Sequence, residues 1–363
     1  MTEGQKQFLR NGIYRLSDNE IISGETSTEI EEVIEFRYNI VEVASGASYA
    51  ELLEYSGNAS VVEIPAYFEG YPIRVIANNA FSSASVSTVI IPDTVTTIGA
   101  EAFYNCSYLT TINIPDSVKN IGKNAFKYCD MVREYYNSIY YVDGWAVEYD
   151  GYSAYVELKQ GTRGIASWTF DNYADSLEQI TIPDSVTTIS NYAFYSCVAL
   201  NAVYMGNGVN YIGGYAFYNC DRIYSIYIPE GVTAIGEYTF HGCDYLHLVE
   251  LPSTLQTIGD YAFAYCNNIE TMTIPEGVTF IGNGGFYLSG SLKTLYVPAS
   301  VTHLGSWVFE CGSLEEVHYS GTMAQAKSVL NYANHFWNDD PKIICTDGAY
   351  KLSTGSVLEY YYS

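Results

Sequence analysis

Cysteine is the residue type in this chain whose spacing most invites a chemical interpretation. Six of the eight cysteines occupy one position of a repeated segment and lie among apolar residues. Thiols in apolar surroundings are inert, so we expect a buried row of free cysteines rather than a metal-binding row or a disulfide framework. Neighbouring members could lie close enough to bridge, which makes the reduced state a separate prediction. The six are Cys106, Cys129, Cys197, Cys220, Cys243 and Cys266.

The other reactive side chains form no recognisable catalytic or metal site. The five histidines are scattered without metal-ligand spacing, so we predict no metal and no cofactor. Sequence motifs of serine hydrolases, phosphate-binding loops and zinc proteases are absent. Glu134 and Glu157 are paired acids on predicted strands, but a glycosidase needs two carboxylates that flank a cleft, and a regular repeat predicts a smooth surface. We therefore predict that the protein is not an enzyme.

The repeated segment is marked by prolines 23 residues apart, each followed after eleven residues by phenylalanine and usually after fourteen by cysteine. A fixed period of 20 to 50 residues is the signature of a solenoid, in which stacked units share one core. The prolines are Pro92 and Pro115, then Pro229, Pro252, Pro275 and Pro298, with Pro183 two periods before Pro229 and Gly206 between them. The phenylalanines are Phe103, Phe126, Phe194, Phe217, Phe240, Phe263, Phe286 and Phe309.

Each part of the unit L-x-x-I-x-I-P-x-x-V-x-x-I-G-x-x-A-F-x-x-C predicts a local structure. Apolar and polar residues alternate before the proline, as in a half-buried strand: Ile112 and Ile114 should point inward, and Thr111 and Asn113 outward. Proline ends the strand because it has no N–H to donate. The V-x-x-I-G part should turn a corner. The A-F-x-x-C part is too short for a free helix, so one helical or 3₁₀ turn is expected to carry phenylalanine inward.

This unit resembles the repeat of the BspA-like class of leucine-rich repeat proteins, and the pattern runs from about Tyr38 to Gly348. The resemblance implies a repeat solenoid, a curved right-handed stack with a parallel β-sheet on its inner face and short helical or 3₁₀ turns on its outer face. Residues 1–60 are then expected to form an N-terminal leader and cap. Residues 61–320 would be the solenoid, with a degenerate interruption near 130–160, and residues 321–363 a C-terminal cap and tail.

Local patterns predict several elements of the caps and of the interruption. Tyr38–Val43 and Glu51–Tyr55 are predicted as paired strands that close one end. The charged segment Glu29–Glu35 is compatible with a short helix or a frayed leader. Within the interruption, Ser153–Leu158 is predicted as a strand. Beyond the last repeat, Ala324–Leu330 is predicted as a capping helix.

The charge balance limits the kinds of partner. Lys plus Arg number 16 against 41 for Asp plus Glu, which gives a formal net charge of -25. Such a surface repels phosphate backbones and anionic lipid, so we predict no nucleic-acid partner and no membrane-surface binding. Cationic or neutral partners are easier to accommodate.

The sequence leaves the location of the protein open. No apolar run approaches the roughly 18 residues of a membrane span. The N-terminal residues MTEGQKQFLRNG lack the apolar region of a secretory signal. These features fit a cytoplasmic protein, or a chain that begins after a removed signal. The family resemblance favours an extracellular or cell-surface location.

Positions four and two residues before each proline are predicted to face solvent on the inner curve. They vary freely while the core positions barely vary, as on a modular recognition face, although unconstrained exposed positions drift in the same way. Together with the resemblance, this pattern predicts an adhesin-type module that binds another protein, possibly one of a host or cell surface. The preferred contacts are the tyrosines and acids Glu134, Tyr136, Tyr155, Glu157, Tyr204, Tyr227 and Tyr296.

A second row of aromatic residues lies nine residues after the proline, on the flank of the repeat. Such a row could stack on sugar rings or anchor a protein, since Tyr and Trp give large contact area at low entropy cost. It could equally shield the flank by packing on itself. Carbohydrate binding through this row and a purely structural spacer role are therefore the alternative functions. The row comprises Trp168, Tyr192, Tyr215, Tyr238, Tyr261 and Trp307.

Overall fold

The computed structural model of the 363-residue chain describes residues 9–16, 34–43, 46–171, 174–308, 310–330, 340–351 and 355–360, with the backbone alone for 9–16, 359 and 360. The chain divides into two compact units. The first comprises Met1–Tyr135 and Tyr140–Glu148, and the second Tyr136–Ile139 and Tyr149–Ser363. Phe309 and most of the segment Glu29–Glu35 lie outside the described residues. Each unit is built from stacked β-solenoid turns.

The first unit combines an antiparallel end layer with two parallel ladders. Its strands are β1 (Leu9–Leu16), β2 (Ile34–Val41), β3 (Tyr49–Tyr55), β4 (Val61–Glu63), β5 (Tyr67–Phe68), β6 (Tyr71–Ile76), β7 (Thr88–Ile90), β8 (Thr97–Ile98), β9 (Thr111–Asn113) and β10 (Asn120–Ile121). β1, β2 and β3 pair antiparallel, which confirms the paired strands predicted for this end. β4, β7 and β9 form the expected parallel ladder before the prolines. β3, β6, β8 and β10 form a second parallel ladder, and its members β8 and β10 lie where the sequence predicted only a corner.

The two units divide at a stretch where the repeat loses its phase, near residues 130–160. Its strands are β11 (Glu134–Tyr136), β12 (Ile139–Val142) and β13 (Trp145–Tyr149). β12 and β13 are joined by Asp143 and Gly144, with φ of 46° and 77°. An Asp-Gly pair with both residues at positive φ is typical of a tight hairpin turn.

The second unit contains the longer run of regular turns. Its strands are β14 (Tyr155–Glu157), β15 (Gly164–Ile165), β16 (Gln179–Ile182), β17 (Thr188–Ile189), β18 (Ala202–Met205), β19 (Tyr211–Ile212), β20 (Ser225–Tyr227), β21 (Ala234–Ile235), β22 (Leu248–Glu250), β23 (Thr257–Ile258), β24 (Thr271–Thr273), β25 (Phe280–Ile281), β26 (Thr294–Val297), β27 (His303–Leu304), β28 (Glu316–Tyr319), β29 (Lys342–Cys345), β30 (Gly348–Lys351) and β31 (Val357–Tyr360). Helix α1 (Met323–Leu330) precedes β29 and confirms the predicted capping helix.

Strands of the second unit again form two sets of parallel ladders. The set before the prolines comprises β14–β16–β18, β20–β22 and β24–β26–β28–β29. The other set comprises β15–β17–β19 and β21–β23–β25–β27. β29, β30 and β31 pair antiparallel, so the ladder ends in a small meander. β14 confirms the strand predicted within Ser153–Leu158.

The core is a stack of phenylalanines between strand residues that alternate as predicted. Ile112 and Ile114 are buried, whereas Thr111 and Asn113 are exposed. In the second unit, rings 23 or 24 residues apart lie parallel with centroids 4.8 to 5.8 Å apart. This is about the spacing of neighbouring strands, so each ring covers the next and the turns share one continuous core. The stacked rings are Phe170, Phe194, Phe217, Phe240, Phe263 and Phe286.

The corner that carries phenylalanine consists of hydrogen-bonded turns in place of the expected helical or 3₁₀ turn. Two residues per corner adopt the left-handed conformation, such as Glu101 with φ of 56° and Asn105 with φ of 58°. A left-handed residue stops a helix, because it breaks the run of right-handed φ angles that helical hydrogen bonds require. The Glu101 N–H donates to the Lys123 carbonyl of the next turn at 2.9 Å, while Gly122 N–H donates back to Ile98 at 2.7 Å. Each interface between these turns therefore carries hydrogen bonds in both directions.

Candidate binding surfaces

The strand face, defined as the positions four and two residues before each proline or its equivalent, is the first candidate surface. The structure places Glu134 in the first unit and the other predicted contacts in the second. Tyr155 and Tyr204 are the most exposed of the predicted tyrosines, at 61% and 58%. All seven predicted residues are exposed: Glu134, Tyr136, Tyr155, Glu157, Tyr204, Tyr227 and Tyr296.

Strand-face residues of the second unit form columns, because the strands are parallel and in register. Glu157 pairs with Thr181, and Thr181 with Tyr204, so Glu157 and Tyr204 are two strand steps apart, about 10 Å. Tyr227 pairs directly with Glu250. The columns therefore place phenol rings and carboxylates within reach of one ligand, an arrangement suited to polar neutral or cationic partners.

A groove of about 510 Å³ opens at the C-terminal ends of β24, β26, β28 and β29. This volume lies in the range of ordinary small-ligand sites. Tyr296 is the predicted contact residue that lines it. Pro275 and Pro298 contribute apolar surface from the ends of β24 and β26, and Ile344 from β29. The full lining is Thr273, Ile274, Pro275, Glu276, Tyr296, Val297, Pro298, His318, Tyr319, Ser320, Ile344, Cys345 and Thr346.

Tyr296 stands between two different neighbours in its column. On one side, the His318 ring stacks on it with centroids 4.6 Å apart and an interplanar angle of 27°. On the other side Tyr296 pairs with Thr273, whose short side chain cannot cover a phenol ring. Tyr296 is 41% exposed and lines the groove, so part of its ring is open to a ligand.

Glu276 lies directly after Pro275, a repeat position at which Asp184 and Glu230 accept hydrogen bonds from the following turn. Glu230 occupies the same repeat position two turns earlier, and its carboxylate accepts from Ser253 N at 3.2 Å and from Ser253 Oγ at 2.8 Å. The residue opposite Glu276 is Ala299, which has no hydroxyl and donates its N–H to Ser320 Oγ at 2.8 Å. Within the described residues, the Glu276 carboxylate accepts no hydrogen bond and forms no ion pair. Glu276 is exposed and lines the groove, so its carboxylate is available to a ligand.

The aromatic belt on the flank of the second unit consists of a first row, Trp168, Tyr192, Tyr215, Tyr238 and Tyr261, and a second row, Tyr195, Tyr218, His241 and Tyr265. Successive rings of the first row stack with centroids 4.7 to 5.1 Å apart. Gly284 fills the next position, so Trp307 is separated from this row. Each interior ring of the first row is covered on both faces by its neighbours. Stacking on a sugar would have to use the ends or the edges of the belt, and the glycan-binding role stays a prediction.

Burial shifts the pKa values of the belt side chains further from neutral pH. Desolvation among neighbouring rings raises the pKa of Tyr215 to about 12, and the nearby Glu237 carboxylate adds to the shift. The pKa values of Tyr192 and Tyr238 are raised for the same two reasons. Desolvation lowers the pKa of His241, which favours its neutral imidazole. At neutral pH the belt is thus an uncharged aromatic surface on an acidic protein.

The repeated cysteine position supplies hydrogen-bond donors as well as apolar volume. All eight cysteines are free and buried, including the six of the predicted row. Cys243 Sγ–H donates to the Phe217 carbonyl of the preceding turn at 3.2 Å. Ser289, which takes the cysteine position of its turn, makes the same bond to the Phe263 carbonyl at 2.7 Å. Burial raises the pKa of Cys243, so this thiol is unreactive as well as inaccessible.

Potential metal ligands of the described residues do not gather into groups of three. In the part of the chain that the structure describes, no three His, Cys, Asp or Glu side chains converge to hold a metal ion. His247 and His303 are exposed, His241 belongs to the belt, and His318 lines the groove. Among the described residues, no helix has the length and apolar character needed to cross a bilayer.

The repeat matches a known family. Residues 74–139, 152–247 and 233–333 match the BspA type leucine-rich repeat region, in six copies, and these ranges cover more than half of the chain. The chain belongs to the BspA-type leucine-rich repeat family. The resemblance carried by the repeat pattern is thereby confirmed. BspA-type repeats suggest a protein-interaction or surface module.

Solved structures similar to this BspA-type chain come from several bacteria. A leucine-rich repeat protein from Bacteroides ovatus is 26% identical over 88% of this chain and 79% of that chain, with a TM-score of 0.43. A leucine rich cell surface protein from Faecalibacterium prausnitzii is 24% identical over 80% and 95%, with a TM-score of 0.30. The leucine-rich repeat protein of T. pallidum is 25% identical over 61% and 82%, with a TM-score of 0.26. No curated protein matches the chain.

Sequence reasoning located the exposed strand face of this BspA-type protein but missed the groove. The groove combines residues of the repeat with Ile344, which lies on β29, beyond the last regular turn. Two departures from the pattern mark the place: Ser320 stands where the repeat has proline, and Ala299 stands where Ser253 pairs with an acid in an earlier turn.

Proposed function

We propose that this BspA-type chain is a non-enzymatic, adhesin-type module, exported or displayed at a cell surface, that binds another protein through its strand face. The observation that carries the proposal is the exposure of large tyrosines along the strand face, where the strands of Tyr155, Tyr227 and Tyr296 bury their alternate positions. Tyrosine is prominent among residues that dominate binding energy, because its rigid ring buries much area at low entropy cost. The tyrosines are Tyr136, Tyr155, Tyr204, Tyr227 and Tyr296, at 48, 61, 58, 42 and 41% exposure.

Charge favours a neutral or cationic partner protein. The chain has a formal charge of -25, and Glu157 and Glu250 are exposed in the same columns as Tyr204 and Tyr227. Opposite charge on the partner would speed its association and orient it on the face. The alternative role in glycan binding draws less support, because the belt rings largely cover one another.

The test is capture of a partner from host-surface and same-cell extracts, followed by affinity measurement with the purified partner. Tyr204→Ala, Tyr227→Ala and Tyr296→Ala are combined in one variant. A matched control combines Tyr108→Ala, Tyr152→Ala and Tyr245→Ala, which removes three exposed tyrosines outside the strand face. We expect the first variant to lose at least about 30-fold in affinity and the control to bind normally. Equal binding by both variants would exclude the strand face as the binding surface.

A further inference from the structure

The groove at the strand ends of β24, β26, β28 and β29 combines an aromatic face, a carboxylate and apolar walls. We propose that it binds the arginine side chain of a basic, extended segment of the partner protein. The inference rests on the proposed function and names the chemistry of one contact. Three features of the groove favour this ligand: the ring of Tyr296, the charge of Glu276 and the apolar walls.

The ring is Tyr296, which is held from one side only. His318 stacks on one face at 4.6 Å, and Thr273 leaves the outer part of the other face open. A guanidinium is planar and weakly hydrated, so it stacks on a phenol face better than a compact ammonium does. Because the phenol already has a stacked partner behind it, little side-chain entropy is lost when a ligand binds in front.

The charge is that of Glu276. Its counterpart Glu230 accepts two hydrogen bonds from Ser253, but Ala299 offers no such donors to Glu276. A guanidinium has N–H groups at the edge of its plane, so it can stack on a ring and still donate to a carboxylate. Thr273, Glu276 and Tyr296 line the same groove, which places these contacts within one site.

The walls accommodate the methylene groups of arginine and the backbone that carries it. Pro275 and Pro298 provide apolar surface beside the ring, and Ile344 extends it to β29. Four strand ends at about 4.8 Å spacing span about 14 Å, which matches about four extended residues. An anionic segment is disfavoured here, because the groove carries Glu276 and the chain carries a net charge of -25.

The experiment titrates the full chain with an acetylated, amidated Ala-Arg-Val-Ala peptide, followed by NMR chemical shifts. The same peptide with citrulline, which keeps the shape and removes the charge, and with lysine serve as comparisons. Groove variants are Tyr296→Ala, Tyr296→Phe and Glu276→Gln. Matched controls are Tyr245→Ala, which removes an exposed tyrosine outside the strand face, and Glu230→Gln, from the same repeat position outside the groove.

We expect the arginine peptide to bind at least about tenfold more tightly than the citrulline peptide, and more tightly than the lysine peptide. Tyr296→Ala should weaken binding about fivefold and Glu276→Gln about threefold, while Tyr296→Phe and both controls retain it. No binding to the wild type, equal binding of citrulline, or insensitivity to the groove variants would overturn the proposal. Partner capture that still depends on Tyr204 and Tyr227 in those cases would leave the proposed function standing and remove only the arginine site.

Discussion

The His318 imidazole stacks on the Tyr296 phenol ring at 4.6 Å, and its Nε2 lies 2.9 Å from the Glu316 carboxylate. Tyr296 lies on β26, whereas His318 and Glu316 both lie on the neighbouring strand β28, and the three side chains hold one another in place. Tyr296 is thereby fixed at the edge of the groove before any ligand arrives. Such pre-organisation reduces the entropy cost of binding.

Removal of the imidazole should destabilise this corner slightly. We expect His318→Ala to lower the free energy of unfolding by about 0.5–1 kcal/mol, because an aromatic contact and a hydrogen bond to Glu316 are lost. Urea denaturation measures the change. His303→Ala, which removes an exposed histidine of a neighbouring turn, should stay within about 0.5 kcal/mol of the wild type. Equal losses in the two variants would mean that the stack contributes nothing.

The cysteine position offers a test of its hydrogen bond. Cys243→Ser should cost less stability than Cys243→Ala, because serine can still donate to the Phe217 carbonyl, as Ser289 does to Phe263. We expect a loss of about 1–2 kcal/mol for alanine and less than about 1 kcal/mol for serine. Urea denaturation of both variants decides the matter. A purely apolar role for the position predicts the reverse order, with serine the more harmful substitution.

Substitutions at the first left-handed position of the corner can distinguish the effect of backbone strain from that of aromatic stacking. Glu101 adopts φ of 56° without a stacked ring, and Asn124 takes the same position in the next turn with φ of 57°. Asparagine tolerates this conformation better than glutamate, so Glu101→Asn should raise the free energy of unfolding by about 0.5–1 kcal/mol.

Asparagine at the equivalent position in the belt should instead lower the free energy of unfolding. Tyr215→Asn relieves strain at φ of 59° but loses stacking on Tyr192 and Tyr238. We expect a net loss of about 1–2 kcal/mol, since each aromatic pair contributes about 0.5–1.5 kcal/mol. Thermal and urea unfolding of the two asparagine variants would show the contrast. A gain in stability for both would indicate that the belt rings pack without mutual benefit.

Alkaline pH should destabilise the second unit through the belt. The pKa of Tyr215 is raised to about 12 in the folded chain, against about 10 for an unfolded tyrosine. The unfolded chain therefore loses its phenolic proton first, so stability is complete below about pH 10 and falls as the pH rises towards about 12. Urea unfolding at a series of pH values measures the fall. Tyr215→Phe should reduce it, whereas Tyr152→Phe, at a side chain 88% exposed, should leave it unchanged.

The sequence predicted the repeating parts well because each has one physical solution. Alternation around Ile112 and Ile114 admits a single buried face, and phenylalanines 23 residues apart can bury their rings only by stacking. The corner was predicted less well. Across the turns, its two left-handed positions are filled by residues as different as glutamate, asparagine, tyrosine and tryptophan. Residue type therefore does not reveal the conformation, and a helical turn was the natural expectation.

The groove could not be predicted, because it arises where the repeat stops. Ser320 stands where the repeat has proline, and α1 follows β28 in place of a further repeat. The next strand, β29, then pairs with β28. Which side chains then meet depends on where the returning strand is placed, and no periodicity fixes that. The exposed tyrosines were predictable as surface residues, whereas the open face of Tyr296 depends on the small neighbour Thr273 in the folded register.

The bidirectional hydrogen bonds between successive turns bear on how such a chain can change its length. Gene duplication of one 23-residue unit would insert a turn whose donors and acceptors all find matching groups above and below. The end layers would be left as they are. Insertion of a few residues would instead shift every later phenylalanine out of its stack. Addition or loss of whole turns can therefore lengthen or shorten the strand-face columns by one residue at a time without changing the fold.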